Sequence, residues 1–319
     1  MTEYSLELDH VSFEYQEGVG VYDLCLELPK GVIFGLIGPS GCGKTTTVRL
    51  TLGILKPDMG VARIGDESSR RLSAAARLEL GYMPQHFVLY PRLTVLENLN
   101  FVASIYGMSL LKRKKLIADL LDIVDLEEVR NRLAMHLSGG MQKRLALAAA
   151  LLHQPTLVFA DEPTSGIDPI LRNRVWDFIH AYRDRGNSLF VTTQYVAEAA
   201  YCDLIGVMNA GRLISVDTPE NLRRKALGGE IIYLQVDPQM HTKVLDLLRQ
   251  HPEVHKIETV DDQDGSFHIY VERSGDIIPQ LIQWLGREPD IEIRSLDRYE
   301  PPFDQIFPLL ISTREEEAR

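Results

Sequence analysis

Residues suited to phosphate binding stand together from Gly38 to Thr46, in the order Gly-Pro-Ser-Gly-Cys-Gly-Lys-Thr-Thr. Glycines let a backbone approach a ligand closely, and a turn from a strand into a helix can direct several N–H groups at one anion. Lys44 is spaced to reach β- and γ-phosphates, and the Thr45 hydroxyl is spaced to hold Mg²⁺. The apolar run Val32–Ile37 precedes the turn, as a strand–loop–helix site for a nucleoside triphosphate requires. The predicted binding residues are Gly38, Pro39, Ser40, Gly41, Cys42, Gly43, Lys44, Thr45 and Thr46.

Two adjacent acids follow a second apolar run. Leu157–Ala160 reads as a short buried strand that ends at Asp161 and Glu162. Open α/β sheets place their ligands at the carboxyl ends of strands. We therefore expect Asp161 to hold Mg²⁺, often through water, and Glu162 to orient and activate an attacking water.

A second anion-binding helix start is predicted far along the chain, at Leu137–Met141. Ser138 is a plausible N-cap, and the glycines at 139 and 140 expose N–H groups. One nucleotide does not need two such helix starts from one chain. Two chains arranged head to tail would supply one each to a shared nucleotide.

Composition indicates a globular protein of about two domains, since the 319 residues are 45% hydrophobic and 25% charged. The sequence contains no long uncharged apolar run, and residues 1–5 lack the features of a secretory signal. Three cysteines without metal or redox spacing fit a reducing cytoplasm. The net charge of −11 argues against nucleic-acid binding. The segment 230–319 has 19 acidic against 9 basic residues, which indicates a separate C-terminal domain.

Hydrophobic periodicity predicts how these parts are arranged. Alternation over residues 5–15 and 21–28 predicts antiparallel strands, whereas apolar residues three and four apart from about 93 to 137 predict helices. A boundary is expected near Leu227–Glu230. Beyond it, the order βαββαβ is that of a ferredoxin-like domain. The predicted domains are residues 1–226, with a helical subdomain at about 86–140, and residues 230–319.

Taken together, residues 4–220 resemble the ATP-binding subunit of an ABC transporter. Gly38–Thr46 resembles the Walker A motif of that family, and Leu157–Glu162 resembles Walker B with its following glutamate. Leu137–Met141 is similar to the LSGGQ signature, with Met141 in the last position. The fold implied is α/β, a P-loop NTPase core of the ABC ATPase type with antiparallel β and helical subdomains, followed by the α+β ferredoxin-like domain.

The resemblance assigns further residues. Gln85 matches the Q-loop glutamine that contacts Mg²⁺ and water, and Tyr15 matches an aromatic residue that stacks on adenine. The D-loop match comprises Ser165, Gly166 and Asp168. Gln194 stands where the family usually has a switch histidine. A glutamine amide can still donate a hydrogen bond to the γ-phosphate but cannot titrate. Because Glu162 is present, we expect hydrolysis to survive, at a lower rate and with a flatter pH profile near neutrality.

The mechanism implied by the resemblance is a two-site ATP sandwich. MgATP lies between Lys44 and Thr45 of one chain and Ser138, Gly139, Gly140 and Met141 of the other. Hydrolysis at Glu162 then lets the homodimer open. The implied partner is an integral membrane permease, which would hold the chain at the cytoplasmic face of the cell membrane.

Export is the favoured direction of transport, because 89–99, 105–107 and 301–307 resemble the ABC-2 exporter group. An ABC importer remains an alternative. A soluble ABC ATPase is disfavoured by the single cassette and acidic tail, and a regulatory module is favoured only by Gln194. The C-terminal domain is interpreted as either an accessory or protein-contact domain or a ligand sensor.

Overall fold

The structure, a computed structural model, describes residues 4–261 and 264–317, with side chains as far as residue 312. The sequence predicts a turn at residues 261–265, and positions 262 and 263 of that turn lie outside the described residues. The chain divides into two compact units, Met1–Pro219 and Glu220–Arg319. The helix Pro219–Leu227 is thus grouped mainly with the second unit, in front of the boundary expected at 227–230. Within that unit, Arg224 pairs with Glu230 at 2.9 Å and ties the helix to the following strand.

Ten strands of the described residues belong to the first unit. They are β1 (Tyr4–Gln16), β2 (Val19–Pro29), β3 (Ile33–Ile37), β4 (Met59–Ile64), β5 (Glu67–Ser68), β6 (Leu80–Met83), β7 (Leu157–Asp161), β8 (Ser188–Thr193), β9 (Leu204–Asn209) and β10 (Arg212–Asp217). An antiparallel sheet has the order β2-β1-β4-β5, and a larger mixed sheet has the order β10-β9-β3-β8-β7-β6. The predicted runs at β3 and β7 are buried throughout, as central parallel strands require.

The helices of the first unit alternate with these strands along the chain. They are α1 (Lys44–Thr51), α2 (Ala74–Leu78), α3 (Val95–Ile105), α4 (Leu110–Ile123), α5 (Gly139–Leu151) and α6 (Pro169–Arg183). The helical stretch predicted at 93–137 is α3 and α4 followed by two short 3-10 turns. A capping box formed by Thr94 and Glu97 begins α3. The amphipathic pattern of residues 175–185 predicts a helix. The observed α6 begins six residues earlier, because Asp168 caps it and Pro169 occupies its first position.

The second unit contains the predicted βαββαβ order. Its elements are α7 (Pro219–Leu227), β11 (Glu230–Val236), α8 (His241–Arg249), β12 (Lys256–Asp261), β13 (Ser266–Val271), α9 (Ser274–Leu285), β14 (Ile293–Tyr299) and α10 (Phe303–Glu317). The sheet is antiparallel with the order β12-β13-β11-β14, which is the ferredoxin-like arrangement. Alternate residues of β11, Ile232, Leu234 and Val236, pack in a buried core with residues of α8 and α9.

Candidate nucleotide-binding and hydrolysis site

Four strand ends place the predicted chemical groups at one edge of the larger sheet. Strands β3, β8, β7 and β6 are consecutive neighbours and run parallel. The phosphate loop, residues 38–46, follows β3, and Gln194 follows β8. Asp161 ends β7 and is followed by Glu162, whereas Gln85 lies two residues beyond β6. The fold therefore gathers these groups from four distant parts of the sequence.

The phosphate loop has a backbone conformation that requires glycine at its end. Gly43 has φ +112°, and a Cβ there would lie 2.6 Å from the side chains of both Val21 and Met208. The sequence predicts a helix over residues 47–55, but α1 begins three residues earlier, at Lys44, so that the lysine belongs to the first helical turn. Loop and helix are thus joined as an anion site requires.

Lys44 is 6% exposed, and its ammonium group lies within the loop. Its Nζ donates hydrogen bonds to the carbonyl oxygens of Gly38 at 2.7 Å and Pro39 at 2.9 Å. A buried ammonium group needs such hydrogen-bond partners, because an unpaired buried charge is unfavourable. Its positive charge lies beside the N–H groups of the loop. This arrangement can bind phosphate oxygens.

Asp161 is fully buried and is held by the neighbouring strand. Its Oδ1 accepts a hydrogen bond from the Thr192 hydroxyl, whereas its Oδ2 is buried without a hydrogen-bond partner among the described residues. A buried carboxylate oxygen left unpaired is unfavourable unless a cation is close. The residues therefore fit Mg²⁺, for which the oxygens of Thr45 and Gln85, both partly exposed, are the additional candidate ligands.

Glu162 has a left-handed backbone conformation, with φ +53°. Its N–H donates to both the carbonyl oxygen and the hydroxyl of Thr192, each at 3.1 Å. Such a conformation costs about 1–3 kcal/mol for a residue other than glycine and persists only where its surroundings hold it. Thr192, which the sequence analysis did not assign to the site, therefore positions both acids. The available signal was a polar residue near the carboxyl end of β8, a strand that is buried throughout.

Gln194 and Tyr15 are both exposed. Gln194 directly follows Thr193, the last residue of β8. Tyr15 is 52% exposed near the end of β1 and packs edge-on against Phe13, with ring centroids 4.7 Å apart. One face of the Tyr15 ring can therefore stack on a planar base.

The signature segment, Leu137–Met141, begins α5. Ser138 is the N-cap, as predicted, and its Oγ accepts a hydrogen bond from the Met141 N–H at 3.3 Å. A Cβ on Gly140 would lie only 2.8 Å from the carbonyl oxygen of Gly166. Within one chain the signature segment therefore lies against the D-loop, residues 165–168, and its exposed Ser138 and Gly139 remain open to a second molecule.

The D-loop has a structural role within the chain. Gly166 has φ +77°, and Asp168 accepts a hydrogen bond at 3.0 Å from the Leu171 N–H as the N-cap of α6. The Asp168 carboxylate therefore stabilises the start of this helix.

The cysteines do not contribute reactive groups to this edge of the sheet. Burial raises the pKa of the Cys42 and Cys202 thiols, which keeps them protonated. Cys25 is exposed and lies beside His10 and Asp23, with ligand atoms within 4.8 Å of one another, a proximity that the sequence spacing did not predict. The hydrogen bond that His10 Nδ1 donates to the Asp23 carboxylate raises the pKa of His10, as in an ordinary surface ion pair.

Comparison with known proteins agrees with this geometry. The ABC transporter family profile matches residues 21–165. The linearmycin resistance ATP-binding protein LnrL of Bacillus subtilis (strain 168) is 31% identical over 303 residues, which cover 95% of this chain and 96% of LnrL. The chain belongs to the ABC transporter ATP-binding proteins. As a member of this family, it also resembles the daunorubicin/doxorubicin resistance ATP-binding protein DrrA of Streptomyces peucetius, at 33% identity over 89% of this chain and 85% of DrrA.

A third relative is longer than the chain. The probable multidrug ABC transporter ATP-binding protein YbhF of Escherichia coli (strain K12) is 37% identical over 229 residues. These residues cover 72% of this chain but only 39% of YbhF.

Solved structures of the family share the fold of the first unit. One, described as an ATP-binding subunit of an ABC transporter, has a TM-score of 0.63 and 27% identity, covering 69% of this chain and 92% of its own. The ATP-binding cassette MJ0796, solved as a dimer bound to ADP and Pi, has a TM-score of 0.61 and 26% identity, covering 67% of this chain and 98% of its own.

Proposed function

We propose that this ABC transporter ATP-binding subunit hydrolyses ATP and that hydrolysis drives transport through a separate membrane permease. The observation that carries the proposal is the edge where the phosphate loop, Asp161, Glu162 and Gln194 meet, with one buried Asp161 oxygen unpaired. The negative phosphates of a nucleoside triphosphate can bind at the phosphate loop. The divalent cation that accompanies them can bind the unpaired oxygen of Asp161. The proposed reaction is therefore the transfer of a phosphoryl group from ATP to water.

The residues divide the reaction between them. Lys44 and the N–H groups of the phosphate loop bind the β- and γ-phosphates, while Tyr15 stacks on the adenine. Mg²⁺, held by Asp161 with Thr45 and Gln85, would neutralise charge on the phosphates. Glu162 accepts a hydrogen bond from the attacking water, and the Gln194 amide donates one to a γ-phosphate oxygen. Water adds to the γ-phosphorus as its bond to the leaving oxygen breaks, giving ADP and phosphate.

A second copy of the chain would complete the site. The signature segment lies against its own D-loop and exposes Ser138 and Gly139, so a head-to-tail dimer would bring it to the partner's nucleotide. The dimeric structure of MJ0796 bound to ADP and Pi supports dimerisation. ATP then holds the two copies together, and loss of the γ-phosphate lets them separate.

The permease contact is proposed on the helical region that follows Gln85. None of the helices in the described part of the chain combines the length and the apolar character that a bilayer span requires. The turn before α3 is fixed by the buried Asn98 side chain, which bonds the carbonyl oxygens of Tyr90, Leu93 and Thr94. Beyond it, apolar side chains are exposed at Phe101, Ile105, Leu110 and Leu111. Such a group favours a protein interface, here at the cytoplasmic face of the cell membrane.

Export is the direction that the relatives support. LnrL and DrrA are named for resistance, and the LnrL alignment covers 95% of this chain, so it extends into the second unit. An importer would share the catalytic edge but has no such support from these relatives.

Dependence of ATP hydrolysis on Mg²⁺ tests the observation that carries the proposal. We expect the Asp161→Asn variant to need roughly 10–100-fold more Mg²⁺ for half-maximal turnover, because an amide is a weaker ligand than a carboxylate. Asp203→Asn is the matched control, since Asp203 accepts a hydrogen bond from the Ile33 N–H at the opposite edge of the same sheet. Equal Mg²⁺ requirements for the parent and Asp161→Asn would contradict the proposed site.

A further inference from the structure

Glu198 is a buried acid that the mechanism above does not use. It lies on a short 3-10 turn, Val196–Tyr201, and is only 2% exposed. Its Oε1 accepts a hydrogen bond from the Thr164 hydroxyl at 2.6 Å, and its Oε2 accepts one from the Thr193 hydroxyl at 2.7 Å. Thr164 belongs to the turn between the catalytic acids and the D-loop, whereas Thr193 directly precedes Gln194. One carboxylate therefore joins two loops of the site.

Arg172 of α6 adds a third connection. Its Nε lies 3.6 Å from Glu198 Oε1, and its Nη2 donates to the carbonyl oxygen of Ile167, within the D-loop, at 3.3 Å. Its guanidinium group also lies 4.9 Å from the ring centroid of Tyr195, the neighbour of Gln194. We call Glu198, Arg172, Thr164 and Thr193 the buried bridge.

The buried bridge is stable because a buried charge that loses its hydrogen-bond partners is unfavourable. A buried carboxylate must keep its donors, so Thr164 and Thr193 cannot move apart without leaving Glu198 unpaired. The Arg172 Nε is buried without a hydrogen-bond partner among the described residues, and 3.6 Å from Glu198 is beyond hydrogen-bond range. A small movement of the D-loop with α6 can therefore tighten or loosen this contact.

The D-loop also lies against the signature segment, through the close approach of Gly140 to Gly166. In the proposed dimer, that segment touches the nucleotide bound mainly by the partner. The contacts thus run from the partner's nucleotide through the D-loop and the buried bridge to Thr193 and Gln194.

We propose that Glu198 and Arg172 are positioning residues that make the D-loop and Gln194 move as one unit, so that occupancy of one ATP site sets turnover at the other. The inference rests on the proposed dimeric ATPase. Neither residue touches the reacting atoms; both act through the positions of the D-loop and Gln194.

Amide hydrogen exchange tests whether the two loops are mechanically joined. We expect Glu198→Gln to raise exchange roughly tenfold in both segments 163–168 and 193–198, with β7 unchanged. Glu230→Gln is the matched control, because Glu230 likewise accepts from a hydroxyl, that of Ser274 at 2.6 Å, and pairs with Arg224 at 2.9 Å, but in the second unit. Faster exchange confined to 193–198, or an equal rise in the control, would overturn the inference.

A milder variant keeps the exchange test decisive if Glu198→Gln fails to fold. Thr193→Val removes one donor of the buried bridge, and Thr193→Ser restores it. Thr193→Val should raise amide exchange at residues 163–168, on the other side of the buried bridge, and Thr193→Ser should not. Unchanged exchange at 163–168 in Thr193→Val would contradict the connection.

Kinetics test the catalytic consequence. Glu198→Gln should lower kcat roughly tenfold or more, with the KM for ATP within about twofold of the parent. In a Gln194→Ala background the same substitution should change kcat by less than about twofold, because the residue through which it acts is gone. The same loss in both backgrounds would show an ordinary structural effect and overturn the inference. A parent without turnover would instead contradict the proposed function, while the exchange result would still decide whether the loops are joined.

Discussion

At the scale of single residues, the site contains the charged residues expected for ATP binding and hydrolysis, together with a glutamine, Gln194, in place of the usual histidine. Lys44, Asp161 and Glu162 are all present at the sheet edge, and Thr192 holds the two acids. Gln194 occupies the position at which the family usually has histidine. An amide supplies a donor but no proton that titrates near neutrality. We therefore expect hydrolysis at this edge to proceed without an imidazole.

Replacing this glutamine should create a pH dependence that the parent lacks. In a Glu162→Gln background, which slows turnover, Gln194→His should bind ATP several-fold more tightly relative to its background as pH falls below about 6.5, because the imidazolium adds positive charge near the γ-phosphate. ATP titrations between pH 5.5 and 8.5 measure the ratio of the ATP affinity of the Gln194→His variant to that of its Glu162→Gln background. Gln250→His, an exposed substitution in the second unit, is the control. A constant ratio for Gln194→His across this range would place residue 194 away from the γ-phosphate.

At the scale of elements, hydrogen bonds between neighbouring segments fix both units. In the second unit, Glu230 at the start of β11 accepts hydrogen bonds from the Ser274 N–H at 2.8 Å and the Ser274 hydroxyl at 2.6 Å, and pairs with Arg224 of α7. Burial alone would raise the pKa of Glu230, but these partners lower it from 4.5 to about 2. The carboxylate thus ties α7 and α9 to the sheet.

The stability of the second unit should therefore depend on pH through Glu230. Because its folded pKa is depressed, the contribution is present above pH 4.5 and is lost as pH falls through about 2. Glu230→Gln should lower the free energy of unfolding by about 2–3 kcal/mol at pH 7, and the difference from the parent should shrink below pH 4.5. Urea unfolding, followed through Trp284 in a Trp176→Phe background, measures this. A difference that stays constant down to pH 2.5 would contradict the assignment.

Local patterns predicted many of these elements. The apolar runs 32–37 and 157–160 predicted β3 and β7, and the alternating order beyond residue 230 predicted the ferredoxin-like sheet. Glu198 could not be assigned in this way, because its partners Thr164 and Thr193 come from different loops. Only the order of the strands brings those loops together. Periodicity also missed α7, whose single buried residue, Leu222, gives no apolar stripe.

At the scale of the whole molecule, the proposed ATP site requires two copies of the chain. The exposed signature segment and the phosphate loop are separate parts of one chain, and the proposed nucleotide joins the loop of one copy to the signature segment of the other. The buried bridge then gives each copy a route by which it responds to its partner. In the proposed function, transport requires a permease bound to the helical region.

The most direct test of this account measures molecular mass and ATP turnover together, for the parent and for Glu162→Gln. With MgATP, the variant should form a dimer of twice the 36.1 kDa chain and hydrolyse ATP at least roughly 100-fold more slowly than the parent, because it can bind ATP but cannot activate water. The parent should turn ATP over and return to monomer as ATP is consumed. Turnover by Glu162→Gln at the rate of the parent, or a variant that stays monomeric in MgATP, would contradict the shared ATP site.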